Sequence, residues 1–158
     1  MEAVAIGGPL AAGQLMGFAS FPSILKWYPK IHKPSWTPPT WLFGPAWSVM
    51  YSLMGYASWR VWKSGVLLTQ LPLVLYMIQL VLNLLWQPLF FIKHDLKTAS
   101  IEITVLLVFI VATIWEFSKV DERAAQLMLP YLAWSSFAAA LTYKIRSLNK
   151  DNPVAKTD

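Results

Sequence analysis

Five stretches of this chain run almost without charge: 3–25, 41–59, 64–92, 98–117 and 124–143. A helix that crosses a bilayer needs about 20 consecutive, mostly apolar residues. It must also satisfy its own backbone N–H and C=O groups, because no water is present to do so. All five stretches fit that requirement. Only 98–117 carries acids, Glu102 and Glu116, and both sit near its ends. Strands of a membrane barrel would instead alternate apolar and polar residues in segments of about 10, a pattern absent here. The expected fold is therefore all-α, a polytopic membrane protein built as a five-transmembrane-helix bundle. The bundle is expected over 1–146, with helices near 4–25, 41–62, 67–92, 98–117 and 124–145. A polar tail, 147–158, is expected to be disordered.

Composition agrees. Of 158 residues, 56% are hydrophobic and 13% charged, against about 25% charged in an ordinary soluble domain. One domain is all that this length supports. With no cysteine, a disulfide framework, a thiolate metal site and a cysteine nucleophile are excluded. The first stretch follows the acidic Glu2 and no Lys or Arg, so it reads as a retained helix rather than a signal peptide.

The basic residues divide unevenly between the two sides of such a bundle. Arg60, Lys63, Lys119 and Arg123 share one side; Lys26, Lys30, Lys33, Lys93, Lys97, Lys144, Arg146, Lys150 and Lys156 share the other. Positive charge collects on the cytoplasmic side, which places the first loop and the C-terminus there. The net charge of +5 then reflects topology and contact with the lipid membrane, and no nucleic-acid partner is indicated. The first link, 26–40, contains Pro29, Pro34, Pro38 and Pro39. Proline forbids a continuous helix there and stiffens the loop, making it a candidate lid over the bundle mouth.

Trp27, Trp36, Trp41, Trp59 and Trp62 fall at interface depth, as an aromatic belt would. Trp47, Trp86 and Trp134 lie deep within their runs, where a buried indole N–H needs a partner. On the second helix, Trp47, Tyr51, Gly55 and Trp59 recur every four residues and share one face. On the third, Gln79, Asn83 and Gln87 do the same. Polar groups at membrane depth face the bundle interior, serving either helix–helix hydrogen bonds or a cavity. Pro72, Pro88 and Pro130 add kinks that could widen one end of the bundle. Gly13 and Gly17 form a GxxxG that permits close helix contact, within the bundle or across a dimer.

Catalytic groupings are thin. His32 and His94 lie in links, read as solvated, and lack metal-ligand spacing; no metal site is expected. Glu102 could snorkel, or pair with Lys93 or Lys97. No nucleophile–base pair, carboxylate pair or phosphate loop is present. Leu141, Tyr143 and Arg146 fit the loose L/V-x-Y-x-K/R sterol pattern.

Four blocks of residues together resemble the translocator protein family, also called tryptophan-rich sensory protein or peripheral benzodiazepine receptor. They are Trp27-Tyr28 with Lys33-Pro34-Ser35-Trp36-Thr37-Pro38-Pro39-x-Trp41; Pro45-x-Trp47-x-x-x-Tyr51-Ser52-x-Met54-Gly55-Tyr56; Leu82-Asn83-x-x-Trp86-x-Pro88-x-Phe90-Phe91; and Leu129-Pro130-Tyr131-Leu132-Ala133-Trp134-x-x-Phe137-Ala138. The resemblance implies a homodimeric five-helix bundle with an internal ligand pocket lidded by the first loop. It further implies porphyrin ligands, namely haem and protoporphyrin IX, together with cholesterol or other sterols and synthetic benzodiazepine-type compounds. No cofactor would be required.

Matching positions place Phe43, Gly44, Pro45, Ala46, Trp47, Asn83, Trp134, Ala138 and Leu141 in the pocket, with sterol contact at Leu141, Tyr143 and Arg146. Arg146 follows Tyr143 by three residues where animal members have four, and Thr98 stands where mammalian members carry a drug-pocket tryptophan. The first function implied is binding or translocation of tetrapyrroles. The alternative is light-dependent porphyrin degradation, with Trp47 and Trp134 as catalytic electron donors. A structural adaptor is the third. The expected location is the mitochondrial outer membrane, with endoplasmic-reticulum or secretory membranes and a bacterial envelope as alternatives.

Overall fold

A computed structural model describes residues 2–152. Five helices make up the described chain: α1 (Glu2–Lys26), α2 (Thr40–Lys63), α3 (Leu71–Gln87), α4 (Leu96–Ser118) and α5 (Glu122–Leu148). No strand occurs among the described residues. α1, α4, α5 and α3 with its continuation to Ile92 are each long and apolar enough to span a membrane. α2 is as long, but its Trp, Tyr, Ser and Gly content lowers its hydropathy, and it earns its place in the bundle by packing. The helices form a ring in the order α1, α2, α5, α4, α3, which closes where α3 meets α1. This is a helical membrane bundle.

Sequence chemistry accounts for the helix ends. Asp95 caps α4 by accepting a hydrogen bond from the Thr98 amide at 2.9 Å, and Asp121 caps α5 through the amides of Arg123 and Ala124. α3 begins at Leu71 rather than 67, because Pro72 sits in its first turn, the one place where a missing N–H costs nothing. Residues 64–70 form the link, turned by Gly65 at φ 94°. At Pro88 the α-helical ladder yields to a π turn, Pro88–Ile92, in which the Lys93 amide reaches the Pro88 carbonyl at 2.8 Å. Pro130 lies well inside α5 rather than near its start.

The lipid-facing surface is a stripe per helix. Ile101, Val105, Val108, Val111 and Trp115 stay exposed on α4, while Ala99, Ile103, Leu106, Ile110 and Phe117 on the opposite side are buried. That division is what 3.6 residues per turn demands of a helix with one face on lipid and one on neighbours.

Three further expectations change. α5 continues to Leu148, and Asn149 beyond it is 2% exposed and hydrogen-bonded, so the tail is ordered at its start; residues 153–158 lie outside the described residues. Trp27 is not part of an interfacial belt: it is 5% exposed and stacks on the His94 ring at 4.1 Å. His94, accordingly, is packed rather than solvated.

Candidate functional site: an aromatic cavity beneath the first link

A cavity of about 480 Å³ opens between α1, α2, the π turn and α5, at the end of the bundle where the first link leaves α1. Glycines create it. A Cβ on Gly17 or Gly44, both lining residues, would meet no atom within 4 Å. Gly13 differs, because its Cβ would overlap the Tyr51 ring. The two halves of the GxxxG therefore act separately: Gly13 seats α1 on Tyr51, and Gly17 leaves space one turn later.

The walls are aromatic. Trp86 stacks on Phe90 with ring centroids 5.0 Å apart, and Phe90 meets Phe91 edge to face at 4.8 Å. The π turn presents this cluster, since its wider turn rotates Phe90 and Phe91 relative to the α3 register. Across the cavity, Trp47 leans on Tyr51 at 5.9 Å. Trp134 backs that wall from α5, perpendicular to Trp47 at 6.5 Å and to one side of Phe43 at 6.1 Å.

The polar stripe of α3 divides its work. Gln79 accepts from the Tyr131 hydroxyl at 2.8 Å, and Asn83 Oδ1 accepts from the Tyr51 hydroxyl at 2.6 Å. All four residues are buried, so these bonds tie α3 to α5 and α2 across the core. Gln87, the third member, lines the cavity. The indole N–H of Trp86, also a lining residue, is buried with no hydrogen-bond partner, as is that of Trp134 behind the wall.

Among the described residues, no charged side chain lines the cavity. Burial pushes the Tyr28 phenol up to about 12, so that wall stays neutral at physiological pH. Beside the lining residue Tyr28 stands Lys33 of the first link, whose Nζ donates to the Tyr28 and Ile31 carbonyls at 2.6 and 3.0 Å and rides 4.7 Å over the Tyr28 ring. Burial also lowers the Lys33 ammonium from its usual value. Such a site can stack flat apolar surfaces and supply a few hydrogen bonds; it has no base, acid or nucleophile arranged for hydrolysis.

The link itself is fastened down as a lid would be. Trp36 packs edge to face on Phe137 of α5 at 5.7 Å, and Tyr28 does so on Phe91 at 5.6 Å. Asn149 then clamps His32 through both backbone groups: its Oδ1 accepts from the His32 amide at 3.0 Å, and its Nδ2 donates to the His32 carbonyl at 2.7 Å.

Of the residues expected in the pocket, Phe43, Gly44, Trp47, Ala138 and Leu141 line the cavity. Pro45 and Ala46 do not, because steps of about 100° per residue turn them off the face shared by Phe43, Gly44, Trp47 and Tyr51. Asn83 and Trp134 sit one layer behind, the first through Tyr51 and the second through Trp47. Trp86, expected to be buried and in need of a partner for its N–H, and Gln87, expected to face the interior, both line the cavity, and Tyr28 and Phe90, outside the expected pocket set, line it too. The sterol pattern divides over two faces: Leu141 points into the cavity, whereas Tyr143 is exposed and bonds the Thr104 hydroxyl on α4 at 2.8 Å. Glu102 does not pair with Lys93 or Lys97; both carboxylate oxygens are buried without a hydrogen-bond partner.

Against known proteins, the TspO/MBR family profile matches residues 5–148. The chain is 38% identical over 144 residues to the translocator protein of Homo sapiens, covering 81% of this chain and 85% of that one. It is 39% identical over 152 residues to the tryptophan-rich protein TspO of Chlorobaculum tepidum, covering 93% and 94%. It is 36% identical over 155 residues to the tryptophan-rich sensory protein of Cereibacter sphaeroides, covering 96% and 91%.

Proposed function

This chain belongs to the TspO/MBR family of membrane proteins, and on that premise we propose that it binds and translocates tetrapyrroles in the cavity beneath its first link. The observation that carries this reading is the cavity itself: about 480 Å³, walled by indole and phenyl rings and, among the described residues, lined by no charged side chain. Ligand sites have this apolar lining with few polar groups, and flat rings stack on aromatic faces. A porphyrin's face would lie against these walls, with its carboxylates kept at the mouth on the side of Lys33.

Among the described residues neither histidine nor methionine lines the cavity, so on this reading recognition rests on the macrocycle. Haem and protoporphyrin IX are accordingly expected to bind within a few-fold of each other. Tryptophan quenching by protoporphyrin IX in darkness, with protein held in nanodiscs, tests the reading. Saturable quenching that Gly17→Phe abolishes, in a variant that remains folded, supports it; unaltered quenching in that variant refutes it.

A second reading has one observation in its favour. Trp47 on the wall and Trp134 behind it form a contiguous indole pair, suited to passing an electron toward a photoexcited macrocycle. Light- and oxygen-dependent porphyrin loss that disappears in Trp47→Phe while dark binding persists would establish degradation. Cholesterol remains a proposed further ligand, and a homodimer the proposed assembly. The uneven Lys/Arg distribution supports a cytoplasmic first loop and C-terminus. The mitochondrial outer membrane is proposed as the location, checked by fractionation and protease protection of a C-terminal tag.

A further inference from the structure

At the opposite end of α1 runs a groove of about 400 Å³, between the start of α1, the end of α2 and the start of α3. It shares no lining residue with the cavity described above. Two glycines shape it. Gly55 brings the α2 backbone against α1, where an added Cβ would stand 2.5 Å from the Ala5 carbonyl oxygen. Gly8, one turn further along α1, faces open space: a Cβ there meets nothing within 4 Å. The helices touch at one level and part at the next.

The groove opens sideways. Val4, Leu68 and Met77 line it and remain exposed, so its open side meets the hydrocarbon of the bilayer. Along α3 it runs from Leu73 to Leu80, about 10 Å at 1.5 Å per residue, or about two-thirds of the hydrocarbon depth of one leaflet. Its walls make no polar demand on a guest. The Tyr76 hydroxyl is buried and pairs with Ser58, and Ser58 donates in turn to the Gly55 carbonyl at 2.8 Å. A guest's own hydroxyl would find no partner along these walls and would cost its desolvation. A plain hydrocarbon chain loses nothing and gains the dispersion contacts that an empty groove forgoes.

The rim differs from the walls. Lys63 ends α2, and its Nζ stands 4.9 Å over the ring of Trp59, a wall residue. Arg60, one turn earlier, is committed to Asp121 at 2.8 Å. Among the described residues no carboxylate pairs with Lys63, Glu2 at the start of α1 included. The groove is therefore apolar along its length and carries, at its headgroup end, a positive charge that no acid neutralises. We infer that it is a phospholipid site, with one acyl chain lying along α1 and α3 and the phosphate at the rim against Lys63. The site is independent of the porphyrin reading.

The test uses the full chain in dodecyl maltoside, a detergent without phosphate. It is photolabelled with phosphatidylglycerol carrying a mid-chain diazirine, and the label is mapped by mass spectrometry. Label is expected in 4–9 and 73–80. Unlabelled phosphatidylglycerol should compete about threefold better than diacylglycerol of the same chains, the difference a partly screened ion pair makes. Lys63→Gln should bring the two competitors level, as should high ionic strength. Gly8→Phe should remove the label while leaving porphyrin quenching intact, and Gly17→Phe should do the reverse. Equal competition by phospholipid and diacylglycerol in the unaltered protein would overturn the inference. So would label that survives Gly8→Phe, or cholesterol competing as well as phosphatidylglycerol. Label found on monomer but missing from dimer would give the groove to a second copy of the chain, and would overturn it too. Should Gly8→Phe fail to fold, the Lys63→Gln comparison decides alone.

Discussion

Asn83 shows how a single polar residue can matter to a site it does not touch. Its Oδ1 holds the Tyr51 hydroxyl at 2.6 Å, and Tyr51 in turn lines the cavity and carries Gly13 of α1 against its ring. Replacing Asn83 by Leu removes that bond and leaves Gln87 as the hydroxyl's remaining polar neighbour, a loss of about 1 kcal/mol. Thermal unfolding in detergent should register it, and Tyr51→Phe in the same background should recover part of the loss. The glycines separate just as sharply. Gly13→Leu forces a side chain into Tyr51 and should destabilise the bundle by more than about 1 kcal/mol. Gly17→Leu meets open space and should leave the melting point near that of the parent while weakening porphyrin quenching. Equal melting points for the two variants would refute this account of the GxxxG.

At the level of elements, the α4–α5 corner is an electrostatic joint. Asp121 caps α5, and Arg60 at the end of α2 binds the same carboxylate, with Nε at 2.8 Å. Burial raises the Asp121 carboxyl, but the amides of Ala124 and Arg123 and the Arg60 guanidinium outweigh it, so the group sits below the usual carboxylate range. A depressed native value gives a contribution that is complete above the unfolded value, about pH 4 for aspartate. It is lost as pH falls through the lower native value. Asp121→Ala should therefore cost about 1 kcal/mol at neutral pH, chiefly through the cap, and the gap between variant and parent should close in acid. Arg60→Ala should cost less, because a partly exposed ion pair is screened. Melts across pH 3–7 separate these outcomes. The π turn at Pro88 is the other decisive element: proline cannot donate to the ladder, and the reset register is what aims Phe90 and Phe91 at the cavity.

The whole molecule closes over its cavity by joining segments far apart in the chain. Asn149, just past α5, clamps His32 in the first link through both backbone groups. Asn149→Ala should loosen that link without disturbing the helices, since the links between rings at Trp36–Phe137 and Trp27–His94 remain. Hydrogen exchange at the His32 amide is expected to rise at least about tenfold, in line with loss of one or two hydrogen bonds. Protoporphyrin release should quicken with it. Unaltered exchange at His32 would show that the aromatic contacts alone hold the lid.

The five apolar runs and the links between them were legible in the residues themselves, because membrane insertion imposes length and charge constraints on each helix separately. The inward faces of α2 and α3 were legible for the same reason: helical periodicity is local. Which inward residue meets the cavity was not. Asn83 and Gln87 share a stripe, yet one is consumed by Tyr51 and the other faces the void, a difference made by the partner helix and not by α3. Trp27 and Trp36 both read as interface residues, but Trp27 is buried against His94 in the turn before α4, whereas Trp36 stays 45% exposed although it meets Phe137. Asn149 looked like tail until the first link came to lie beside it. The chain's own order thus determined a membrane bundle and its helical faces, since those depend on neighbours within a few turns. The cavity, the buried Trp86 N–H beside it and the fastening of the first link arose only where helices distant in sequence came together, because packing between them decides which polar groups are satisfied and where space is left.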